Sequence, residues 1–200
     1  MAAVLGFGPG AQAQSQLIFD NLSRSVSAWG DVGANIMGQG YTRAGSFTTD
    51  AGHWTFESVT LGLANAYQAN GGFAVRLYDA TGADGNPGAL LLTLTGNNNP
   101  KFAGSYSYTG ALGLTPNTTY WVEADAPLTS DYRWGAISQS PTVGSQVGSS
   151  YAVDGGPWSL IPGYNMHMQV TASPTTVPEP SAMAFMGLSS AALLIFRRRK

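Results

Sequence analysis

Chemistry in a protein needs side chains that can hold a proton, a metal or a nucleophile, and this 200-residue chain offers few of them. It has no cysteine, which removes disulfide scaffolds, thiolate zinc sites and thiol nucleophiles together. Its two histidines, His53 and His167, have no metal-ligand spacing such as H-x-x-x-H and read as strand-surface residues. Serine and aspartate are plentiful, but there is no G-x-S-x-G elbow and no strand–turn–helix context to expose a nucleophile. Paired-carboxylate chemistry has only Glu57 and Glu123 as glutamates in the body of the chain. Both alternate with apolar neighbours, as solvent-facing strand residues do. No catalytic residue and no cofactor is therefore expected, and a secreted hydrolase ranks behind binding or structural readings.

Two binding chemistries remain. Asp79, Asp84 and Asn86 place hard oxygen ligands around a Gly-rich turn, which calcium accepts. An EF-hand would continue with oxygen ligands at Asp79, Thr81 and Ala83 followed by Gly, and Ala83 and Asp84 break that pattern. The same residue types let a hairpin loop reach positive φ, so the segment reads first as a loop. The second chemistry is aromatic. Five Trp and nine Tyr exceed what the core of a small domain requires. Tyr132, Trp134, Tyr151, Trp158 and Tyr164 gather in the last third, around a Gly/Ser-rich segment from Ser138 to Gly156. Exposed rings beside Asn and Asp can stack on sugars and hydrogen-bond their hydroxyls. Trp134, Tyr151, Trp158 and Tyr164 are the expected carbohydrate-binding residues, and the alternative is that the rings line a core.

These residues must be positioned by strands. Val59, Leu61 and Leu63 share one face of an alternating run, and Phe73, Val75 and Leu77 share another with Arg76 and Tyr78 opposite. Leu90, Leu92 and Leu94 repeat the pattern, and Tyr120, Val122 and Ala124 alternate with Trp121, Glu123 and Asp125. Tyr132 to Ile137 and Met166 to Val170 follow, with His167 expected to point outward. Period two over five to seven residues is the strand signal. Eight or nine such strands, separated by Gly, Asn, Asp and Pro turns, predict an all-β antiparallel sandwich of jelly-roll type over residues 15–172.

Charge separates this body from the end of the chain. The net charge of −2 hides four cations in the last four positions, Arg197, Arg198, Arg199 and Lys200. Between Ser15 and Thr176 stand five basic and ten acidic residues, a net of −5 without a basic stripe. Nucleic acid is excluded as a partner on that ground, since phosphate neutralisation needs clustered Lys and Arg. Thr171-Ala-Ser-Pro-Thr-Thr-Val-Pro178 reads as a Pro/Thr-rich linker, assigned to 173–181 with the Pro-Glu-Pro that ends it. Ala182 to Phe196 then runs fifteen residues without charge. As a helix it would span roughly 22 Å at about 1.5 Å per residue, short of the about 30 Å of a hydrocarbon core. Snorkelling arginines would make up part of the difference and hold that end in the cytoplasm. At the other end, residues 1–13 read as a truncated or weak signal peptide, with Ala11-Gln12-Ala13 fitting a small-x-small cleavage site.

Val177-Pro178-Glu179-Pro180, the short apolar segment and the terminal Arg cluster together resemble the PEP-CTERM sorting signal of Gram-negative bacteria. The resemblance implies that an exosortase-type membrane protease recognises Pro178-Glu179-Pro180 and removes the tail. The precursor would be tethered to the inner membrane through its C-terminal helix before processing, and then reach the cell surface or extracellular matrix. Such proteins are associated with extracellular polysaccharide, the second expected partner, and with biofilm. The body carries a resemblance of its own in Phe47-Thr-Thr, Phe56-Glu-Ser-Val-Thr-Leu61, Phe73-Ala-Val-Arg-Leu-Tyr78, Asn86-Pro-Gly88 and Leu114-Thr-Pro-Asn-Thr-Thr-Tyr-Trp121. These landmarks are similar to the choice-of-anchor domains, most closely the R type, over roughly Tyr41 to Thr171. That resemblance implies a surface β-sandwich and carries no site residues.

Overall fold

Where apolar and polar residues alternate the chain is extended, and the alternation decides which side of each strand faces inward. The computed structural model describes residues 14–35 and 38–175. The expected leader (1–13), the sorting motif Val177–Pro180, the apolar segment Ala182–Phe196 and the basic residues Arg197 to Lys200 lie outside the described residues. Among those described, thirteen strands form: β1 (Gln16–Asp20), β2 (Ala28–Ala34), β3 (Gly40–Thr48), β4 (Trp54–Leu63), β5 (Ala74–Asp79), β6 (Leu90–Thr93), β7 (Gly104–Leu114), β8 (Thr119–Asp125), β9 (Asp131–Ile137), β10 (Ser149–Val153), β11 (Ser159–Ile161), β12 (Asn165–Met166) and β13 (Met168–Pro174). The one helical element among them is a 3₁₀ turn, Ala83–Gly85. No described helix is long and apolar enough to cross a membrane.

The strand pairings are antiparallel, as expected, and join one continuous open sheet in the order β1-β13-β4-β9-β2-β3-β8-β5-β6, with β7 on β4 and β10 on β3. The sheet has two arms joined by a narrow waist. β4 meets β9 through the single pair Leu63–Trp134. β2 leaves β9 and reaches β3 at Gly33 and Ala34. Gly33 has φ +91°, and a Cβ there would sit 2.3 Å from the Ser130 carbonyl oxygen, so the waist requires glycine. Both arms bury their inner faces in one core. Phe56, Val59, Leu61 and Val170 come from β4 and β13, and Phe47, Val75, Leu77 and Val122 come from β3, β5 and β8. Phe73 packs on Tyr108 and Tyr132 with ring centroids 5.9 and 5.0 Å apart.

The inward triplets Val59-Leu61-Leu63, Phe73-Val75-Leu77, Tyr120-Val122-Ala124 and Met166-Met168-Val170 are all buried. Three expectations are corrected. Leu90 is 51% exposed, because β6 ends the sheet order; of its triplet Leu94 is buried and Leu92 packs partly against the core. Glu123, expected to face solvent, is buried, as is Trp121 two positions before it: β8 lies between β3 and β5, and the Trp121 Nε1–H donates to the Gly85 carbonyl at 2.8 Å under the 3₁₀ loop. The linker begins later than residue 173. β13 runs to Pro174, and the Thr175 N–H donates to the His53 carbonyl at 2.8 Å, so these residues belong to the sheet.

Candidate functional site

The four expected sugar-binding rings separate once the strands are in place. Trp134 is fully buried in the core, and its Nε1–H donates to the His167 carbonyl at 2.9 Å, so it cannot stack on a ligand. It sits on the inner face of β9 because Tyr132 and Trp134 alternate with outward Arg133. Tyr132 is equally buried. Tyr151 on β10 is half-buried against Arg43, Trp158 is half-buried, and Tyr164 is 38% exposed.

Of the calcium candidates, Asp79 and Asn86 have bonding partners in and around the loop. Asp79 Oδ1 accepts from the Thr81 hydroxyl (2.6 Å) and from the Thr81 and Ala89 amides (3.1 and 2.8 Å). The Thr81 hydroxyl leads the causes that hold its carboxyl below the ordinary value. Asn86 accepts from the Ser150 hydroxyl at 2.7 Å and donates to the Ala83 carbonyl at 2.9 Å. Asp84 is exposed with φ +56°. The Asp79 and Asn86 side chains hold the loop over β8.

The histidines have different environments. His53 is exposed. His167, expected outward, is half-buried on the outer side of β13's start, with Nε2 3.0 Å from the Leu22 carbonyl and its ring lying across Gly62. Burial lowers its pKa, opposed by the Leu22 and Arg24 backbone and by Asp20. A base depressed on folding binds fewer protons folded than unfolded. Its contribution is complete above the unfolded value of about 6.5 and is lost as pH falls through the folded one. Thermal melts between pH 7.5 and pH 5 should show stability declining with acid. His167→Gln should flatten that slope, and an unchanged slope would refute the assignment.

The two glutamates differ, Glu57 being half-buried on β4 and Glu123 buried on β8. Glu57 accepts from the Ser15 hydroxyl at 2.6 Å. Glu123 is 5% exposed and takes Arg76 Nη1–H at 2.7 Å, while the same nitrogen reaches Asp125 at 3.1 Å. Burial raises the Glu123 carboxyl, and Arg76 opposes it.

A cation–aromatic arrangement the sequence did not single out lies around β2. Trp29 is 41% and Tyr67 69% exposed. The Arg133 guanidinium sits 6.0 Å from the Trp29 ring centroid and 4.9 Å from that of Tyr67, donates to the Tyr67 hydroxyl at 3.0 Å and approaches Asp31 at 3.9 Å. Arg43 on β3 lies 5.2 Å from the ring centroids of both Tyr41 and Tyr151. The period-two signal Trp29-Gly30-Asp31-Val32 was present, but two glycines in seven residues blurred it.

The comparisons bear on the other end of the chain. Residues 176–200 match the PEP-CTERM protein-sorting motif. This marks an exported precursor that exosortase, a membrane protein, sorts and processes, in agreement with the reading of Val177 to Pro180. The match covers the tail alone. No curated protein matches the chain.

Proposed function

We propose that the chain is a non-enzymatic protein of the cell surface or extracellular matrix, a β-sandwich of choice-of-anchor R-like type delivered by its C-terminal sorting signal. The observation that carries this is the sorting-motif match over 176–200. The core shared by two antiparallel arms supports the sandwich reading. The pairing of the buried Glu123 with Arg76 supports the non-enzymatic one, since that carboxylate is shielded and neutralised. Mass spectrometry of the mature protein from its host, with and without the sorting protease, tests it. The expected species ends near Pro178–Pro180 only when the protease is present. Surface-exposed protein that retains Lys200 would overturn processing and leave a plain anchor.

A second reading, a carbohydrate-binding module, is favoured by the exposed Trp29 and Tyr67 beside Arg133. Aromatic faces with adjacent hydrogen-bonding groups suit sugar rings. A glycan array probed with the full chain should show binding, and none above background would remove this reading.

A further inference from the structure

Where β2 and β9 part from β3 and β10 the sheet opens into a cleft of about 190 Å³, lined by Trp29, Arg43, Ser149, Ile161, Tyr164 and Met166 among others. Drug-sized ligands occupy about 300–1,000 Å³, so this cleft has room for one small ring. Its walls are mainly apolar, and two polar groups in it have bonding capacity left among the described residues. Ser149 is 1% exposed and its Oγ has no hydrogen-bond partner among the described residues. A buried hydroxyl in that state is destabilising until an acceptor or donor arrives. Arg43 is half-buried and gives its Nε–H to the Asp31 carbonyl at 3.2 Å, but no carboxylate lies within 4 Å of it among the described residues. Its terminal N–H groups make no hydrogen bond among the described residues, and a planar guanidinium suits a carboxylate. Gly30 opens the way to it, since a Cβ there would lie 3.0 Å from Arg43 Nε.

The ligand must therefore bring an anion for Arg43, a hydroxyl for Ser149 and a compact ring for the apolar walls and the rim tyrosine. We propose that the cleft binds a hexuronate residue of an acidic polysaccharide. The carboxylate sits on the Arg43 guanidinium, a ring hydroxyl on Ser149 Oγ, and the ring against Tyr164 and Trp29. Neighbouring sugar residues run over the Trp29–Arg133–Tyr67 platform. The net charge of −5 does not forbid this, because charges beyond a Debye length of about 8 Å are screened at physiological salt. The nearest charges are Arg43, Arg133 and Asp31. The proposal rests on the carbohydrate-binding reading and adds the place and the sign of the sugar.

Calorimetric titration of the full chain with oligogalacturonate and with neutral dextran oligomers tests it. Oligogalacturonate should bind at least tenfold more tightly, and added salt should weaken it. Arg43→Gln and Trp29→Ala should each lower affinity about tenfold or more. Arg43 is packed between two rings, so its variant is paired with Ser149→Ala, which removes a hydroxyl that has no partner among the described residues and should leave the fold intact while weakening binding. Dextran bound as tightly as oligogalacturonate would overturn the acidic assignment and leave the carbohydrate reading standing. Binding of neither sugar would overturn both. Unchanged affinity in Ser149→Ala and Trp29→Ala would place the sugar outside this cleft and overturn the proposal.

Discussion

Replacing Trp134 by alanine is expected to cost about 3–5 kcal/mol, the range for removing a large aromatic side chain from a packed core. Domains of this size have about 5–15 kcal/mol in all, so the loss should lower the thermal midpoint on the order of 10 °C. The effect is large because Trp134 sits at the waist. It supplies the pair with Leu63 that joins β4 to β9, and its indole N–H holds the His167 carbonyl at the point where β12 passes into β13. Trp134→Phe should be milder, because that carbonyl keeps its bond from the Gly62 N–H at 2.9 Å. The loss of one hydrogen bond is worth about 1 kcal/mol. Trp29→Ala is the control. Its ring is 41% exposed and touches Arg133, a contact worth about 1 kcal/mol or less at such a site. Chemical denaturation of the three variants measures the difference. Equal losses at Trp134 and Trp29 would show that the core assignment is wrong.

Trp134 also marks where the sequence stops being informative. Alternation found the inward faces of β4, β5, β8 and β13 because each strand keeps period two over several residues beside a single core. It failed on β8's other face. Glu123 alternates with apolar neighbours as solvent-facing residues do, yet it is buried, as is Trp121. What covers Trp121 is a loop, Asp79 to Asn86, held by Asp79 to its own backbone and by Asn86 to Ser150 across 64 positions, while Glu123 is paired with Arg76 of β5. Period two reports that a strand has two faces and does not report what packs on the second one. The same blindness explains the aromatic residues. Crowding of rings in the last third is a compositional signal, whereas exposure depends on pairing. Trp134 shares a face with Tyr132 and is buried, while Trp29, outside the crowded region, lies on the outer face of β2 and is exposed. Arg43 and Ser149 are 106 positions apart and meet only because β10 pairs antiparallel with β3, Tyr151 opposite Arg43 and Ser149 opposite Gly45. No local pattern encodes that register. The sorting motif is the opposite case, a contiguous segment over 176–200 whose presence was legible from the residues alone.

Arg76→Ala is expected to be the most pH-sensitive substitution in the molecule. Glu123 is 5% exposed and its carboxylate is 2.7 Å from Arg76 Nη1, which also reaches Asp125 at 3.1 Å. Removing one partner of a buried ion pair typically costs about 3–5 kcal/mol, because the remaining charge stays desolvated and unpaired. Arg76 is 28% and Asp125 36% exposed at the side chain, so about 2–3 kcal/mol is the appropriate expectation near pH 7. Burial already holds the Glu123 carboxyl above its ordinary value of 4.5, and Arg76 is the main influence pulling it down. Without the guanidinium the folded-state value rises further. A carboxyl raised on folding binds more protons folded than unfolded, so stability is greatest below the unfolded value and falls as pH rises through the folded one. The deficit of the variant should therefore be full at pH 7 to 8 and shrink as pH approaches 4.5, where Glu123 is protonated and no longer needs a cation. Glu123→Gln in the Arg76→Ala background removes the buried charge altogether. It should recover part of the loss at pH 7 and abolish the pH dependence, and a double-mutant cycle across pH separates the two effects. A deficit that instead grew on acidification would mean that Glu123 is ionised and solvated in the folded protein, and that its burial on β8 is not what controls it.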